Sequence, residues 1–164
     1  MMNYIGLETT SVSFFGHRYI DRFGFVERKL AQLIRGLMTT KPYVEFLVGR
    51  EGDFDRIASS TIRHLRNDFG EHNSAHVLML PYMTAEFRDN EESFYEYYSE
   101  VEIAFDATGK SHFKAAYQKR NRYMVDRSDI VIVYIVHESG GAYQTYQYAL
   151  KQGKTVINIA DMEE

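Results

Sequence analysis

The sequence predicts an α/β fold with a mostly parallel central sheet and helices on both faces. Three observations carry this. Short runs of β-branched and aromatic residues alternate with longer stretches of helical period. Glycines recur just after the strand-like runs, where a strand-to-helix connection has to turn. One run, Ile130 to Val136, holds seven β-favouring residues without a polar break, which suits a strand covered on both faces and lying near the sheet centre.

The first strand is expected at Val12 to Phe15, ending at Gly16-His17-Arg18. Val26, Leu30, Leu33, Ile34 and Leu37 then recur at helical spacing. The second is Val44 to Val48, followed by Gly49-Arg50-Glu51-Gly52-Asp53 and a helix burying Ile57, Ala58, Ile62 and Leu65. The third is Val77 to Leu80, closed by Pro81, which cannot donate to a sheet ladder. Residues 82–110 mix aromatics with acids and read as a loop-rich insert, with room for one short helix and a strand near Val101 to Phe105. A helix from about Ser111 to Asp126 leads into the long strand. Ser139-Gly140-Gly141 then opens a helix through Leu150, Gly153 caps it, and Thr155 to Ile159 is the last strand. The expected architecture is a Rossmann-like three-layer sandwich formed by residues 1–164 as one domain.

A chain of 164 residues with 45% hydrophobic residues can bury a core without staples. It has no cysteine, which removes disulfides, thiolate nucleophiles and cysteine-based zinc sites. Met1 to Glu8 lacks the basic start and apolar run of a secretory signal, and Ile130 to Val136 is too short to cross a bilayer. A cytoplasmic protein with no membrane partner is the expectation. The net charge is −4, with acids gathered at Glu86 to Glu102 and in the tail. Nucleic acid is therefore expected to be a poor partner. A homodimer fits the abundance of aromatics.

In open parallel sheets, ligands bind beyond the carboxyl ends of the strands, where neighbouring loops diverge. Gly16, Gly49, Gly52, Gly140 and Gly141 all fall there, together with His17, Arg18, Arg50 and Ser139. Glycine permits close backbone approach, and free N–H groups at a following helix favour phosphate. Arg18 offers a planar fork for phosphate and His17 a donor, whereas pairing with a surface acid and with a loop carbonyl are their structural alternatives. Asp53 and Asp55 suit helix capping or a ribose hydroxyl. Asp126 and Asp129 suit caps, turns or ion pairs. His64, His72, His76, His112 and His137 form no metal-ligand pattern, so no metal is expected.

Read together, the segments Ser13-Phe14-Phe15-Gly16-His17-Arg18, Gly49-Arg50-Glu51-Gly52-Asp53-Phe54-Asp55, Arg120-Asn121-Arg122-Tyr123-Met124-Val125 and Ser139-Gly140-Gly141 resemble the SLOG superfamily. Within it, the chain is most similar to a bacterial and phage branch with the same four ordered motifs. The resemblance implies a Rossmannoid fold and a pocket for nucleotides or nucleotide-derived ligands, with Arg120 and Asn121 as further pocket donors. Members sense such molecules, process them, or bind single-stranded DNA. The Lonely Guy phosphoribohydrolases of this superfamily carry P-G-G-x-G-T-x-x-E, and the glutamate position falls here on Gln147. A neutral amide cannot replace a catalytic carboxylate. The leading expectation is thus binding or sensing of a nucleoside phosphate, NAD or ADP-ribose with no required cofactor. The alternatives are an N-glycoside hydrolase or transferase using Asp53, Asp55 or Asp126, and single-stranded DNA binding.

Overall fold

The computed structural model describes residues 8–104 and 113–164. Its strands are β1 (Thr9–Gly16), β2 (Tyr43–Val48), β3 (Ser74–Leu80), β4 (Glu100–Ile103), β5 (Ile130–Tyr134) and β6 (Thr155–Asn158). Its helices are α1 (Phe23–Thr40), α2 (Asp53–Phe69), α3 (Ala85–Asp89), α4 (Glu91–Tyr97), α5 (Phe113–Arg127) and α6 (Gly141–Lys151), with a closing 3-10 turn at Ile159–Asp161. The strands form one sheet in the order β4-β3-β2-β1-β5-β6, and every neighbouring pair is parallel.

Strand side chains alternate between faces, and each face buries a separate core. Val12 and Phe14 of β1, Phe46 of β2 and Ile132 of β5 pack with Val26, Leu30 and Ile34 of α1 and Ile57, Ala58 and Ile62 of α2. Phe15, Leu47, Val77, Val131 and Val133 pack on the other face with Met124 and Val125 of α5 and Ala149 of α6. The helices thus cover both faces of a parallel Rossmann-like sheet, as the alternating pattern predicts.

Two local expectations change. The long apolar run forms β5, which is paired on both sides but lies next to the edge strand β6; β1 and β2 hold the centre. Its uninterrupted apolarity reflects cover on both faces, which any interior strand has. The insert contains two helices rather than one. Thr84 caps α3 by accepting from Phe87 N at 3.1 Å, and Phe87 and Phe94 anchor α3 and α4 with ring centroids 5.2 Å apart. Expected positions at Phe105, Ser111 and His112 lie outside the described residues. Gly153, at φ +72°, ends α6 as expected: its N–H bonds Leu150 O at 3.0 Å and Lys154 N bonds Ala149 O at 3.2 Å. Among the described residues no helix is long and apolar enough to cross a membrane.

Candidate functional site

The chain runs from β1 outward to β4 on one side, then returns to place β5 on the other side of β1. The loops after β1 and β5 therefore diverge, and this is the crevice where parallel sheets bind ligands. A cavity of about 300 Å³ opens there, lined by Gly16, His17 and Arg18 after β1, Gly49 and Glu51 after β2, Tyr117, Arg120 and Asn121 of α5, and Gly140 and Gly141 at the start of α6. The four motif segments come together at one edge. Ser139 is exposed beside this cavity's glycines, while Arg50 and Gly52 line a neighbouring cavity on the far side of the same loop.

Each loop has a physical reason for its sequence. A side chain at Gly16 would overlap the Phe54 ring of α2, so the first strand must end in glycine for α2 to approach. Gly52 has φ +114°, and a Cβ there would stand 2.6 Å from Arg18 Cα. The β1–α1 and β2–α2 loops are stitched together at this point by Asp53 N to Arg18 O at 2.8 Å and Ile20 N to Asp53 Oδ2 at 3.1 Å. Asp53 thus ties two loops.

His17 lines the cavity and also joins two loops. Its Nε2 accepts hydrogen bonds from Val136 N at 3.0 Å and His137 N at 3.2 Å, so it bridges the two diverging loops as a neutral imidazole. Partial burial and the neighbouring His137 push its pKa below the usual histidine range. The His17 and His137 rings lie 4.5 Å apart.

Arg120 is likewise committed. Only 5% of its side chain is exposed, and it binds Glu51 through Nη1 to Oε1 at 2.7 Å and Nη2 to Oε2 at 3.2 Å. Asn121 Oδ1 receives the remaining edge of the guanidinium, and Asn121 Nδ2 donates to Thr145 Oγ1 at 3.1 Å, linking α5 to the first turns of α6. Asp55 lies beside this pair and accepts from Glu51 N at 2.8 Å. Burial and the Glu51 carboxylate push Asp55 up to about 7. Burial alone would raise Glu51 too, but the charge and hydrogen bonds of Arg120 hold it below the usual carboxylate range. The cavity floor is therefore a carboxyl pair sharing one cation.

The cations around the cavities differ in their pairing. Among the described residues Arg18 has no acid partner, and Tyr19 beside it is 87% exposed. By contrast, Arg50 is paired with Glu86 at 3.2 Å and Arg56 with Asp53 at 3.2 Å. Among the described residues no side chain caps α6, whose N-cap is Gly140 at φ +92°, so the backbone N–H groups of its first turn remain available.

Glu51, Tyr19 and Tyr117 were not legible as site residues. The available signal was positional: Glu51 is the acid between the two loop glycines, and Tyr19 is an aromatic directly after the strand-end arginine. Asp126 lies outside the site, accepting from Tyr148 OH at 2.7 Å, and Asp129 Oδ2 accepts from Ser11 N at 2.8 Å. Gln147 Nε2 donates to Tyr143 OH at 2.6 Å on the exposed side of α6. Among the described residues no three histidines or acids cluster as metal ligands.

The fold and site together define a Rossmann-like α/β protein with an open crevice at the carboxyl edge of a parallel sheet. Solved structures share that architecture. DNA processing protein A from Helicobacter pylori, described for its single-stranded DNA binding mode, matches with TM-score 0.62 and 16% identity over 90% of this chain and 63% of its own. DNA processing protein A from Streptococcus pneumoniae matches with TM-score 0.64 and 17% identity over 90% of this chain and 49% of its own. This chain therefore spans about half to two thirds of those structures, and at such identity the likeness concerns the fold. No family model and no curated protein matches the sequence.

Two expectations are corrected at this point. The expectation that nucleic acid is a poor partner is overturned by the Helicobacter structure, a protein of this fold described for its single-stranded DNA binding mode. Net charge also misjudges the rim. Many of the acids at Glu86 to Glu102 belong to α3, α4 and the far edge strand β4, three strands away from β1. A free nucleoside phosphate, NAD or ADP-ribose held by its phosphates is the second correction. The neighbour binds a polymer, and here the cavity floor offers Glu51 and Asp55 against an arginine already paired.

Proposed function

We propose that this chain binds single-stranded DNA across the carboxyl edge of its sheet, with the backbone on the rim formed by the β1–α1 loop and the start of α6. The observation that carries this reading is the pair Arg18 and Tyr19, a cation without an acid partner among the described residues next to an almost fully exposed aromatic ring, at the point where the strand order reverses. Single-strand binders combine these two elements: a cation tracks phosphates, and an aromatic face stacks on bases irrespective of sequence. The uncapped first turn of α6 supplies backbone donors to a further phosphate. The likeness to DNA processing protein A supports the reading, as does the arrival of all four superfamily motifs at one edge. Membership of the SLOG superfamily and a cytoplasmic setting are parts of the same proposal.

Fluorescence anisotropy with a labelled oligothymidylate tests it. The wild-type protein is expected to bind with an affinity that falls as salt rises, and Arg18→Ala is expected to reduce the slope of log affinity against log salt by about 0.7. Tyr19→Ala is expected to weaken binding by about 1–3 kcal/mol with the slope unchanged. Salt-independent binding, or wild-type affinity and salt slope in both variants, would rule out this rim as the contact surface.

A further inference from the structure

Three charged groups from different elements converge just beyond β2. A side chain at Gly49 would overlap Glu51 Oε2 and stand 3.0 Å from Asp55 Oδ2 and 3.2 Å from Arg120 Nη1, so glycine at this position is what lets the three meet. Glu51 takes Nη1 and Nη2 of Arg120 and also Arg50 N at 2.9 Å. Asp55, in the first turn of α2, accepts from Glu51 N at 2.8 Å, and its carboxyl is hydrogen-bonded to that of Glu51. Two carboxyls bond to each other only when one of them carries a proton. With both ionised the cluster holds two negative charges against one cation, and a single proton on Asp55 makes it neutral. Granted strand binding at the Arg18 loop, we propose that the crevice takes up a proton on Asp55 when it binds single-stranded DNA, so that affinity falls as the solution turns alkaline.

The position of Asp55 makes its charge felt. It is 9% exposed and lines both the crevice, with His17 and Arg18, and the neighbouring cavity across the β2–α2 loop. Salt screens a charge so placed far less than one at the surface. A strand phosphate on the rim disfavours the ionised carboxyl and favours the protonated one, and by linkage the proton favours the strand. The groups around Asp55 leave it as the one that changes charge near neutrality. Burial and the Glu51 carboxylate hold it at about 7. Glu51, against its burial, is kept below the usual carboxylate range by Arg120. On α5, Tyr117 is raised by burial, and Tyr98, after α4, is pushed up to about 12 by burial. His17 of the β1–α1 loop is held below the usual histidine range by burial and His137. Across the loop, Arg50 is paired with Glu86 and Arg56 with Asp53, beside Tyr97.

Anisotropy with a labelled oligothymidylate between pH 7 and 8.5 at fixed ionic strength tests the coupling, because neither phosphodiester nor thymine titrates there. Calorimetry in two buffers of different ionisation heat counts the protons. The wild-type protein is expected to lose about fourfold in affinity over this range and to take up about half a proton per bound strand at pH 7.5. Asp55→Asn holds the uncharged form at every pH, and Glu51→Gln frees Arg120 to keep Asp55 ionised. Each variant is expected to show neither the fall nor the uptake. A flat wild-type profile without proton uptake overturns the coupling and leaves strand binding standing. A fall retained in both variants places the proton elsewhere and overturns it equally. If the wild-type protein binds at no pH, the strand reading falls and the coupling with it.

Discussion

Two of the three arginines of helix α5, Arg120 and Arg127, stand two turns apart, about 10 Å along its axis, and each meets glutamate, yet the two ends of the helix do different things. Arg127, toward the amino ends of the strands, clamps Glu45 through Nη2 to Oε2 at 2.7 Å and Nε to Oε1 at 2.7 Å, and also bonds Glu102. Burial would raise Glu45, but hydrogen bonds from Arg127 and Ser11 hold it below the usual carboxylate range. Charges there are closed among β2, β4 and α5. Arg120, at the carboxyl end of the sheet, meets Glu51 through Nη1 and Nη2 but has Asp55 as a surplus carboxyl, and the group lines an open cavity. The comparison separates an ion pair that fastens elements from one that shapes a site.

The largest expected effect is at Arg120. Arg120→Ala leaves Glu51 buried without its cation, and should cost about 3–5 kcal/mol of unfolding free energy at pH 7, measured by urea denaturation. Glu51 has its folded pKa depressed, so its stabilisation is present above its ordinary 4.5 and lost as pH falls through the folded value. The cost of Arg120→Ala should therefore shrink in acid. Arg127→Ala, at a more exposed site, should cost about 2 kcal/mol; a cost equal to that of Arg120→Ala would erase the distinction.

Asp55 sharpens the same contrast through pH. Its folded pKa is raised from an ordinary 3.8 to about 7, so the native state binds the extra proton between those values and stability falls as pH rises across that window. Asp55→Asn should flatten this part of the stability profile, and an unaltered profile would show that the carboxyl is ionised throughout. A smaller change is expected at His17. His17→Ala removes the acceptor shared by Val136 N and His137 N and should cost about 1 kcal/mol, read as a lowered Tm.

The fold was largely legible because its signals are periodic. Strand runs, the helical faces of α1 and α2, and the strand-end glycines obey local geometry that the sequence carries directly. The insert was harder, since Phe87 and Phe94 anchor helices too short for a clear period. At the site, position after a strand identified Gly16, Arg18, Gly49 and Gly140, but not what each donor is committed to. His17 turns out to accept from backbone N–H groups, and Arg120 to be held by Glu51, because partners 69 or 119 residues away decide them. Charge misled for a related reason: the sum over the chain cannot tell that Arg18 stands apart from every described acid while Arg50 and Arg56 do not.

Amide chemical shifts of the 15N-labelled protein, followed during titration with an oligothymidylate, test the central claim most directly because they address both ends of α5 at once. Binding at the carboxyl edge predicts concentrated shifts at Arg18, Tyr19, Gly52, Gly140 and Gly141, with Glu45, Glu102 and Arg127 unmoved. Shifts clustered around Arg127, or none at the β1–α1 loop at saturating DNA, would contradict it.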